Sequence, residues 1–376
     1  MSPSANAPAG EPQIATLTAL RFFAAAWVVL YAYWPNLDVS FTPNLVGKGY
    51  LGVELFFVLS GFVISHVYQA AAEAGRLRYG AFLWARLARV YPLHLATLAA
   101  VLLMGVGAGF MGVPVGPEVV DPAALPANLA LVHAWGFAPS ASFNHPSWSI
   151  SAEWFAYLTF PVFAAAAARL SNRPGLAVVG ALALLFGLYA VFPRLTGFEL
   201  TQATIAWGAL RIVPCFALGC AVHLLWRSGA LSRAGRARIG AATFGLAIVG
   251  LASVNAPDAF LTASFAGLIV SLTALWATRT QAGAPSRTLS IFSYLGEISY
   301  STYMICVPWK ILFLKFASII LGIPGETLPL GLWLIFLISL VPLSALSFHL
   351  VERPARAWMK QRVASTRGGA TFQPAS

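Results

Sequence analysis

The chain has 376 residues, of which 59% are hydrophobic and only 9% are charged. Soluble domains are roughly 45–50% apolar and about 25% charged, so lipid must be the solvent for most of this chain. The net charge of +11 is the basic excess expected of cytoplasmic loops beside anionic lipid, and we exclude a nucleic-acid partner. Cys215, Cys220 and Cys306 lie in apolar runs and indicate neither a disulfide framework nor a zinc site.

Apolar runs of about 20 residues are long enough to cross a membrane as helices. We predict an all-α polytopic membrane protein with about ten transmembrane helices in one domain, 13–360. The predicted spans lie near 16–35, 50–70, 90–112, 148–169, 174–193, 204–226, 237–254, 259–277, 293–316 and 328–350. The proline-interrupted run at 125–137 is too short to span and predicts an interfacial or re-entrant piece. The ends, 1–12 and 361–376, have the composition of disordered tails.

The distribution of basic residues predicts the orientation of the chain. If both termini are cytoplasmic, the cytoplasmic segments hold 17 of the 23 lysines and arginines. The first apolar run has neither a basic region before it nor a small-residue cleavage site after it, so we interpret it as a span rather than a signal peptide. We therefore predict a multi-pass protein of the bacterial cytoplasmic (inner) membrane, with membrane lipids as partners.

Four ionisable residues fall inside predicted spans: Arg21, Glu54, Glu153 and Arg211. Each costs about 2.5–3.5 kcal/mol to insert and is expected to face the bundle interior with a partner. One interpretation is that they form buried ion pairs that hold helices together. The other is that Glu54 and Glu153, both near the outer ends of their helices, converge at the depth of position 32.

Two further arginines, Arg86 and Arg89, lie just before Tyr91-Pro92, where the third predicted span begins. Arginine is the preferred clamp for phosphate, so these two, with Arg21 nearby, are candidates to bind the phosphates of a cytoplasmic nucleotide-like donor. The alternative is that both simply follow the positive-inside rule. Spacing alone does not separate the two interpretations.

The segment 144–154 combines serines, two tryptophans and a carboxylate at the predicted outer interface. One interpretation is an aromatic belt with helix-capping serines. The other is one wall of an acceptor site, because hydroxyls and aromatic faces suit a sugar-like substrate. The candidate acceptor-binding residues are His145, Trp148, Ser149 and, at the end of the first span, Trp34. The remaining histidines show no partner spacing, and we predict no metal site.

Six stretches in order match motifs of one family. They read LTALRFFAA at 17–25, GVELFFVLSGF at 52–62, RLARVYP at 86–92, PSWSISAE at 146–153, LGEISYSTY at 295–303 and VERP at 351–354. With ten predicted spans, the chain resembles the acyltransferase 3 family of integral-membrane acyltransferases from about Leu17 to Met359. Each stretch is weak alone, and their shared order makes the resemblance specific.

The resemblance implies a ten-helix core that passes an acyl group, usually acetyl, from cytoplasmic acyl-CoA to a hydroxyl of a glycan or other small acceptor. Arg21, Arg86 and Arg89 match the family's arginines and are expected to bind the donor. The family places its catalytic histidine eleven residues after the first of these, where this sequence has Ala32. A methyl side chain can neither accept a proton nor carry an acyl group.

Two explanations of Ala32 remain open. Either an introduced substitution inactivates the chain, which the intact neighbouring motifs favour, or the protein is a natural variant with lost or rerouted chemistry. In the second case Cys306, where relatives often have histidine, is a candidate thiol nucleophile, although an inert buried thiol is the commoner state.

With histidine at position 32, Glu54 or Glu153 would orient the imidazole. Tyr300, Tyr303 or Ser149 would stabilise the oxyanion.

A transporter or flippase of a small molecule or lipid-linked glycan is the rival interpretation, because buried charges also occur in carriers. No inverted repeat is visible in the sequence, which argues against it. A catalytically inactive regulatory or sensory relative is a third possibility, for which Ala32 is the main argument.

Overall fold

The computed structural model describes residues 14–112, 114–230, 233–279, 286–323 and 325–365. Over these ranges the chain is a bundle of α-helices, and the pairing between Leu37 and Leu328 is an isolated bridge rather than part of a strand. The predicted all-α polytopic membrane fold is therefore confirmed. The terminal residues 1–13 and 366–376, which include most of the predicted tails, lie outside the described residues.

Fourteen α-helices follow one another along the described chain. They are α1 (Ala15–Tyr33), α2 (Asn44–Gly47), α3 (Gly52–Glu73), α4 (Tyr79–Phe110), α5 (Leu125–Leu129), α6 (Trp148–Arg169), α7 (Pro174–Thr196), α8 (Gly208–Arg227), α9 (Ala234–Ser253), α10 (Asp258–Arg279), α11 (Arg287–Glu297), α12 (Ser299–Ile320), α13 (Leu330–Ser347) and α14 (Arg353–Ser365). A π-helical turn, Phe348–Glu352, joins α13 to α14.

Nine helical segments in the described ranges are long and apolar enough to cross a membrane. They contain α1, α3, α4, α6, α7, α8, α10, α12 and α13. The tenth predicted span is α9, which has 20 residues and packs against α10. Arg236 and Arg238 lie in its first two turns and lower its mean hydropathy, so α9 falls outside the nine.

Two predicted spans differ from the helices that form. The span near 90–112 is the second part of α4, which begins at Tyr79 and contains Pro92 in its interior. The span near 293–316 is divided between α11 and α12 by a break at Ile298. At this break Gly296 lies directly against the backbone of Thr18 in α1, where a larger side chain would collide.

Shorter segments also have defined positions. The run at 125–137 forms only α5 and a 3-10 turn, His133–Trp135, so it does not span, as its length predicts. Helix α14 continues to Ser365 and passes the predicted domain boundary at 360.

Helices α3 and α8 form the centre of the bundle. In each, 72% of the apolar window is buried, compared with 17% in the segment that contains α13, so α13 is peripheral. The two central helices touch backbone to backbone, because a Cβ at Gly61 would overlap the carbonyl of Phe216 and one at Gly219 that of Val58. Small residues at crossings allow this close approach in membrane bundles.

The helix connections gather on two opposite faces. The long-loop face comprises the connections 34–51, 111–147, 197–207, 254–257 and 321–329. Contacts between these loops support the grouping: Lys48 pairs with Asp258 at 2.7 Å, and the Gly136 N–H donates to the Ile205 carbonyl at 3.0 Å. The basic face lies at the other ends of the helices and includes Arg227, which pairs with Glu73 at 2.9 Å.

Candidate active site

A cavity lies between α1, α3, α4, α6 and α12 and contains about 780 Å³ of space, including its open mouth. The residues that line the cavity are Arg21, Val53, Phe56, Phe57, Ser60, Val63, Ile64, Arg86, Arg89, Val90, Ser149, Ile150, Glu153, Tyr157, Ser299, Tyr300 and Tyr303. Seven of the residues singled out from the sequence are therefore brought together here.

Three arginines form the charged part of the lining. Arg86 and Arg89 are three residues apart on α4, so they share one helix face, and Arg21 approaches from α1. Arg86 is buried, its Nη2 donates to the Tyr68 hydroxyl at 3.3 Å, and its guanidinium carbon lies 5.5 Å from the centre of that ring.

Arg21 and Arg89 have no such anchors. Neither makes a hydrogen bond or an ion pair with any residue that the structure describes. The lining contains three guanidinium groups and one carboxylate, that of Glu153, so positive charge is in excess. Each guanidinium has five N–H donors in a fork that suits phosphate oxygens, so the cavity is built to accept an anion.

Glu153 is held through one of its two carboxylate oxygens. Its Oε1 accepts hydrogen bonds from the Ser60 hydroxyl at 2.7 Å and the Tyr157 hydroxyl at 2.5 Å. Its Oε2 makes no hydrogen bond with the described residues. A carboxylate fixed by one oxygen and free at the other can take a proton from a group in the cavity.

The three predicted oxyanion donors all line the cavity, but their hydroxyls are engaged differently. The Tyr300 hydroxyl donates to the Val90 carbonyl at 2.6 Å, which ties α12 to α4 and uses its only proton. The Ser149 hydroxyl donates to the Pro146 carbonyl at 3.1 Å and lies beside Tyr303. Tyr303 is therefore the least engaged of the three and the best donor to a substrate oxygen.

Glu54 lies away from the cavity. Its carboxylate is fully buried, and its Oε1 accepts a hydrogen bond from Nε of Arg211 at 2.5 Å. Arg211 also donates to the Ala203 carbonyl at 2.9 Å, and its guanidinium carbon lies 4.5 Å from the centre of the Trp148 ring. The sequence did not decide which of the two carboxylates acts at the site. Glu153 lines the cavity, whereas Glu54 forms a buried ion pair.

Position 32 is also outside the lining. Ala32 packs beside a separate apolar cluster around Tyr33 and Phe336, and its carbonyl accepts a hydrogen bond from Lys310 Nζ at 3.3 Å. Cys306 is buried in the same cluster, one turn before Lys310 on α12, with its thiol on the Tyr303 carbonyl at 3.1 Å. All three cysteines of the chain are free and buried.

The remaining predicted acceptor-binding residues are spread over the long-loop face. His145 is exposed, Trp34 is half-buried with its Nε1 on the Phe41 carbonyl at 2.8 Å, and Trp148 is only 4% exposed beneath Arg211. None of the three lines the cavity.

One histidine in a connecting loop has a well-defined partner. His133 Nε2 lies 3.0 Å from the Ser147 hydroxyl. Burial, with a smaller contribution from nearby His94, lowers the pKa of His133 to about 3. The ring is therefore neutral, and its role in holding the loop to α6 is structural.

Several residues around the cavity were not predicted as site residues. Ser60 and Tyr157 hold Glu153, Tyr68 holds Arg86, and Glu352 accepts a hydrogen bond from the Ser301 hydroxyl at 2.8 Å. Spacing was a usable signal for Tyr157, which is four residues after Glu153 on one helix. Glu352 ends the π-helical turn, a feature common at functional sites, and such turns are not visible in a hydropathy pattern.

Two known proteins resemble parts of the chain. It is 35% identical to "Acyltransferase MdmB" of Streptomyces mycarofaciens over 163 residues, which cover 40% of this chain and 39% of that protein. It is 37% identical to "Protein 2 in picA locus" of Rhizobium radiobacter over 97 residues, which cover 25% of this chain and 50% of that protein. The matches thus span half or less of these relatives. No solved structure matches the chain.

The family assignment covers much more of the chain than these pairwise matches. Residues 14–349 match the acyltransferase domain family, and this range contains the whole cavity lining. The resemblance predicted from the six motifs is confirmed. The chain belongs to the acyltransferase 3 family.

Proposed function

We propose that this chain is an acyltransferase that takes an acyl group, most simply acetyl, from acyl-CoA and transfers it to a hydroxyl of a glycan or other small acceptor. The observation that carries the proposal is the composition of one cavity. It combines two arginines, Arg21 and Arg89, that make no ion pair with the described residues, and the carboxylate of Glu153, whose Oε2 makes no hydrogen bond with them. A phosphate-bearing thioester donor supplies the anion that such a cavity lacks.

The donor would bind from the basic face. Its phosphates would contact Arg21, Arg86 and Arg89, and its pantetheine arm would extend between the apolar side chains of α3 and α12 toward Glu153. The positive-inside rule makes the basic face cytoplasmic, where acyl-CoA is made, and we place the protein in the bacterial cytoplasmic (inner) membrane.

Transfer requires one proton to move twice. The acceptor oxygen attacks the thioester carbonyl carbon while its proton passes to a base, for which Glu153 Oε2 is the free group in the cavity. The C–S bond then breaks, and the thiolate of coenzyme A takes the proton back from Glu153. Tyr303 would donate a hydrogen bond to the oxyanion between these steps.

Ala32 bears on the rate of this reaction rather than on donor binding. Eleven residues are about three helical turns, so position 32 shares a face of α1 with Arg21 and lies nearer the long-loop face. An imidazole there would supply the stronger base that the family uses. We therefore propose that the chain binds the donor and turns over slowly.

The test is acetyl-CoA binding and acetyl transfer by the purified chain and its Ala32→His variant. We expect equal dissociation constants and transfer faster by about 10²–10⁴ in the histidine variant, the usual contribution of a general base. Equal rates would reject the role given to position 32. If neither protein binds acetyl-CoA, the assignment of acyl-CoA as donor is wrong and the transporter interpretation is favoured.

A second variant tests the carboxylate. In the unaltered chain, Glu153→Gln keeps the size of the side chain and removes the base, so we expect its slow transfer to fall by about 10²–10⁴ with unchanged acetyl-CoA affinity. Glu199→Gln, at an exposed position, is the matched control and is expected to have no effect. Equal transfer rates in both variants would remove Glu153 from the mechanism.

A further inference from the structure

A second cavity of about 760 Å³, open to its surroundings, lies on the long-loop face between two connections. We call it the loop pocket. Its lining residues are Gly136, Ala138, Pro139, Ser140, Ala141, Phe198, Gln202, Ala203, Thr204, Ile205, Ala206 and Trp207. The hydrogen bond from the Gly136 N–H to the Ile205 carbonyl pins its two walls together. Gly136 has a φ of 87°, a conformation that favours glycine.

The chemistry of the loop pocket indicates the kind of ligand that it would take. None of its described lining residues is ionisable, so a charged ligand would lose hydration there without gaining a counter-charge. Trp207 is 45% exposed and, with Phe198, offers aromatic faces. Gln202, Ser140 and backbone groups offer hydrogen bonds. Aromatic faces combined with neutral donors and acceptors suit a ligand with alternating C–H and hydroxyl groups.

The loop pocket is joined to the arginine-lined cavity through Trp148 and Arg211. Arg211 donates to the carbonyl of Ala203, which lines the pocket, and stacks on Trp148. Gly208, next to Trp207, packs against the same indole, which lies 3.3 Å from where a Cβ of that glycine would be. On its other side Trp148 contacts Phe57, which lines the arginine-lined cavity, with the two ring centres 6.0 Å apart. One layer of side chains therefore separates the two spaces.

We infer that the loop pocket is the docking site for the acceptor, and that this acceptor is a neutral hydroxylated molecule such as an uncharged sugar. The inference rests on the proposed acyl transfer, because it places the second substrate of that reaction. The donor then arrives from the basic face and the acceptor from the long-loop face. The Trp148 layer lies between the docked acceptor and Glu153, so transfer requires this layer to open.

The experiment measures saturation transfer by NMR from the protein in nanodiscs to methyl glucoside, methyl glucuronide and glucosamine. We expect signal from the neutral glycoside to exceed that from the two charged sugars. In Trp207→Ala we expect binding of methyl glucoside to weaken by about tenfold, the loss for one aromatic platform. Gln202→Ala, a milder change, should weaken it by a smaller factor.

Phe137→Ala is the matched control, because Phe137 is 68% exposed on the same loop but does not line the pocket. It should bind methyl glucoside as the unaltered chain does. Absence of saturation transfer to any sugar overturns the inference, as does unchanged binding in both Trp207→Ala and Gln202→Ala, or equal binding of charged and neutral sugars.

Acetyl-CoA affinity is measured on the same samples to separate the two proposals. If the chain binds acetyl-CoA but shows none of the expected differences in sugar binding, only the assignment of the loop pocket is rejected. Loss of donor binding in the unaltered chain rejects the proposed function, on which the inference rests.

Discussion

Arginines lie in two places between the helices of this protein, and their surroundings differ. Arg211 has a carboxylate, a backbone carbonyl and an aromatic face as partners. Arg21 and Arg89 have no hydrogen bond or ion pair with the described residues, although both line the interior cavity. The ion pair of Arg211 stabilises the fold. Arg21 and Arg89 keep N–H donors available, which is what a binding site for an anionic ligand needs.

Breaking the ion pair of Arg211 should give the largest change in stability. Arg211→Leu leaves the carboxylate of Glu54 buried without its partner, so we expect the free energy of unfolding to fall by about 3–5 kcal/mol. The measurement is reversible unfolding of the detergent-solubilised protein by denaturant. The double variant Glu54→Leu/Arg211→Leu removes both charges and should recover most of this loss. A double variant as unstable as the single one would contradict the assignment of this pair to the fold.

Substitution of an arginine that lines the cavity should change the affinity for acetyl-CoA rather than the free energy of unfolding. Arg89→Gln removes charge-assisted hydrogen bonds worth about 1.5–3 kcal/mol, so we expect acetyl-CoA to bind about 10- to 100-fold more weakly. The unfolding free energy should not fall, because Arg89 has no ion pair among the described residues to lose. Calorimetric titration with acetyl-CoA measures the affinity.

The control for that experiment is Arg173→Gln, which removes one exposed arginine from the basic face and should leave the affinity unchanged. If Arg89→Gln destabilises the protein as Arg211→Leu does and leaves donor affinity intact, the contrast between the two sites is wrong.

The smallest expected effect concerns an arginine of intermediate character, Arg86. Tyr68→Phe removes the hydroxyl that Arg86 contacts at 3.3 Å and keeps the ring beneath the guanidinium. We expect about a threefold loss of acetyl-CoA affinity, because a single long hydrogen bond orients the group. Tyr79→Phe, which removes a hydroxyl bonded to the Leu158 carbonyl outside the cavity, should have no effect on affinity. A loss in Tyr68→Phe as large as that in Arg89→Gln would contradict the minor role given to this hydrogen bond.

Structural features that depend only on position along a single helix could be predicted from the sequence. Apolar length located nine clear spans, and depth correctly suggested that Arg21, Arg86 and Arg89 lie near one another. Ser149 and Glu153 are four residues apart, so their shared face could also be anticipated. These features follow from the geometry of a single helix and need no knowledge of its neighbours.

Rotation about the helix axis and the identity of the neighbouring helix could not be predicted in the same way. Glu54 and Ser60 are six residues apart, about 240° around α3, so one faces Arg211 on α8 and the other faces Glu153 on α6. Both Glu54 and Glu153 were predicted at the same depth in the membrane, so depth could not show which of them lines the cavity. Trp148 adjoins Ser149 in sequence but lies about 100° away around α6, which places its ring under Arg211 rather than in the cavity.

The glycine contact between α3 and α8 has a mechanical consequence for the cavity. Because the Gly61 and Gly219 backbones touch, these helices cannot slide past each other without atoms colliding, and the wall formed by α3 is stiff. The opposite wall is formed by α4 and α12, which are joined by the hydrogen bond from the Tyr300 hydroxyl on α12 to the Val90 carbonyl on α4. Any widening of the cavity would therefore occur between α4 and α12, because contact with α8 fixes the α3 wall.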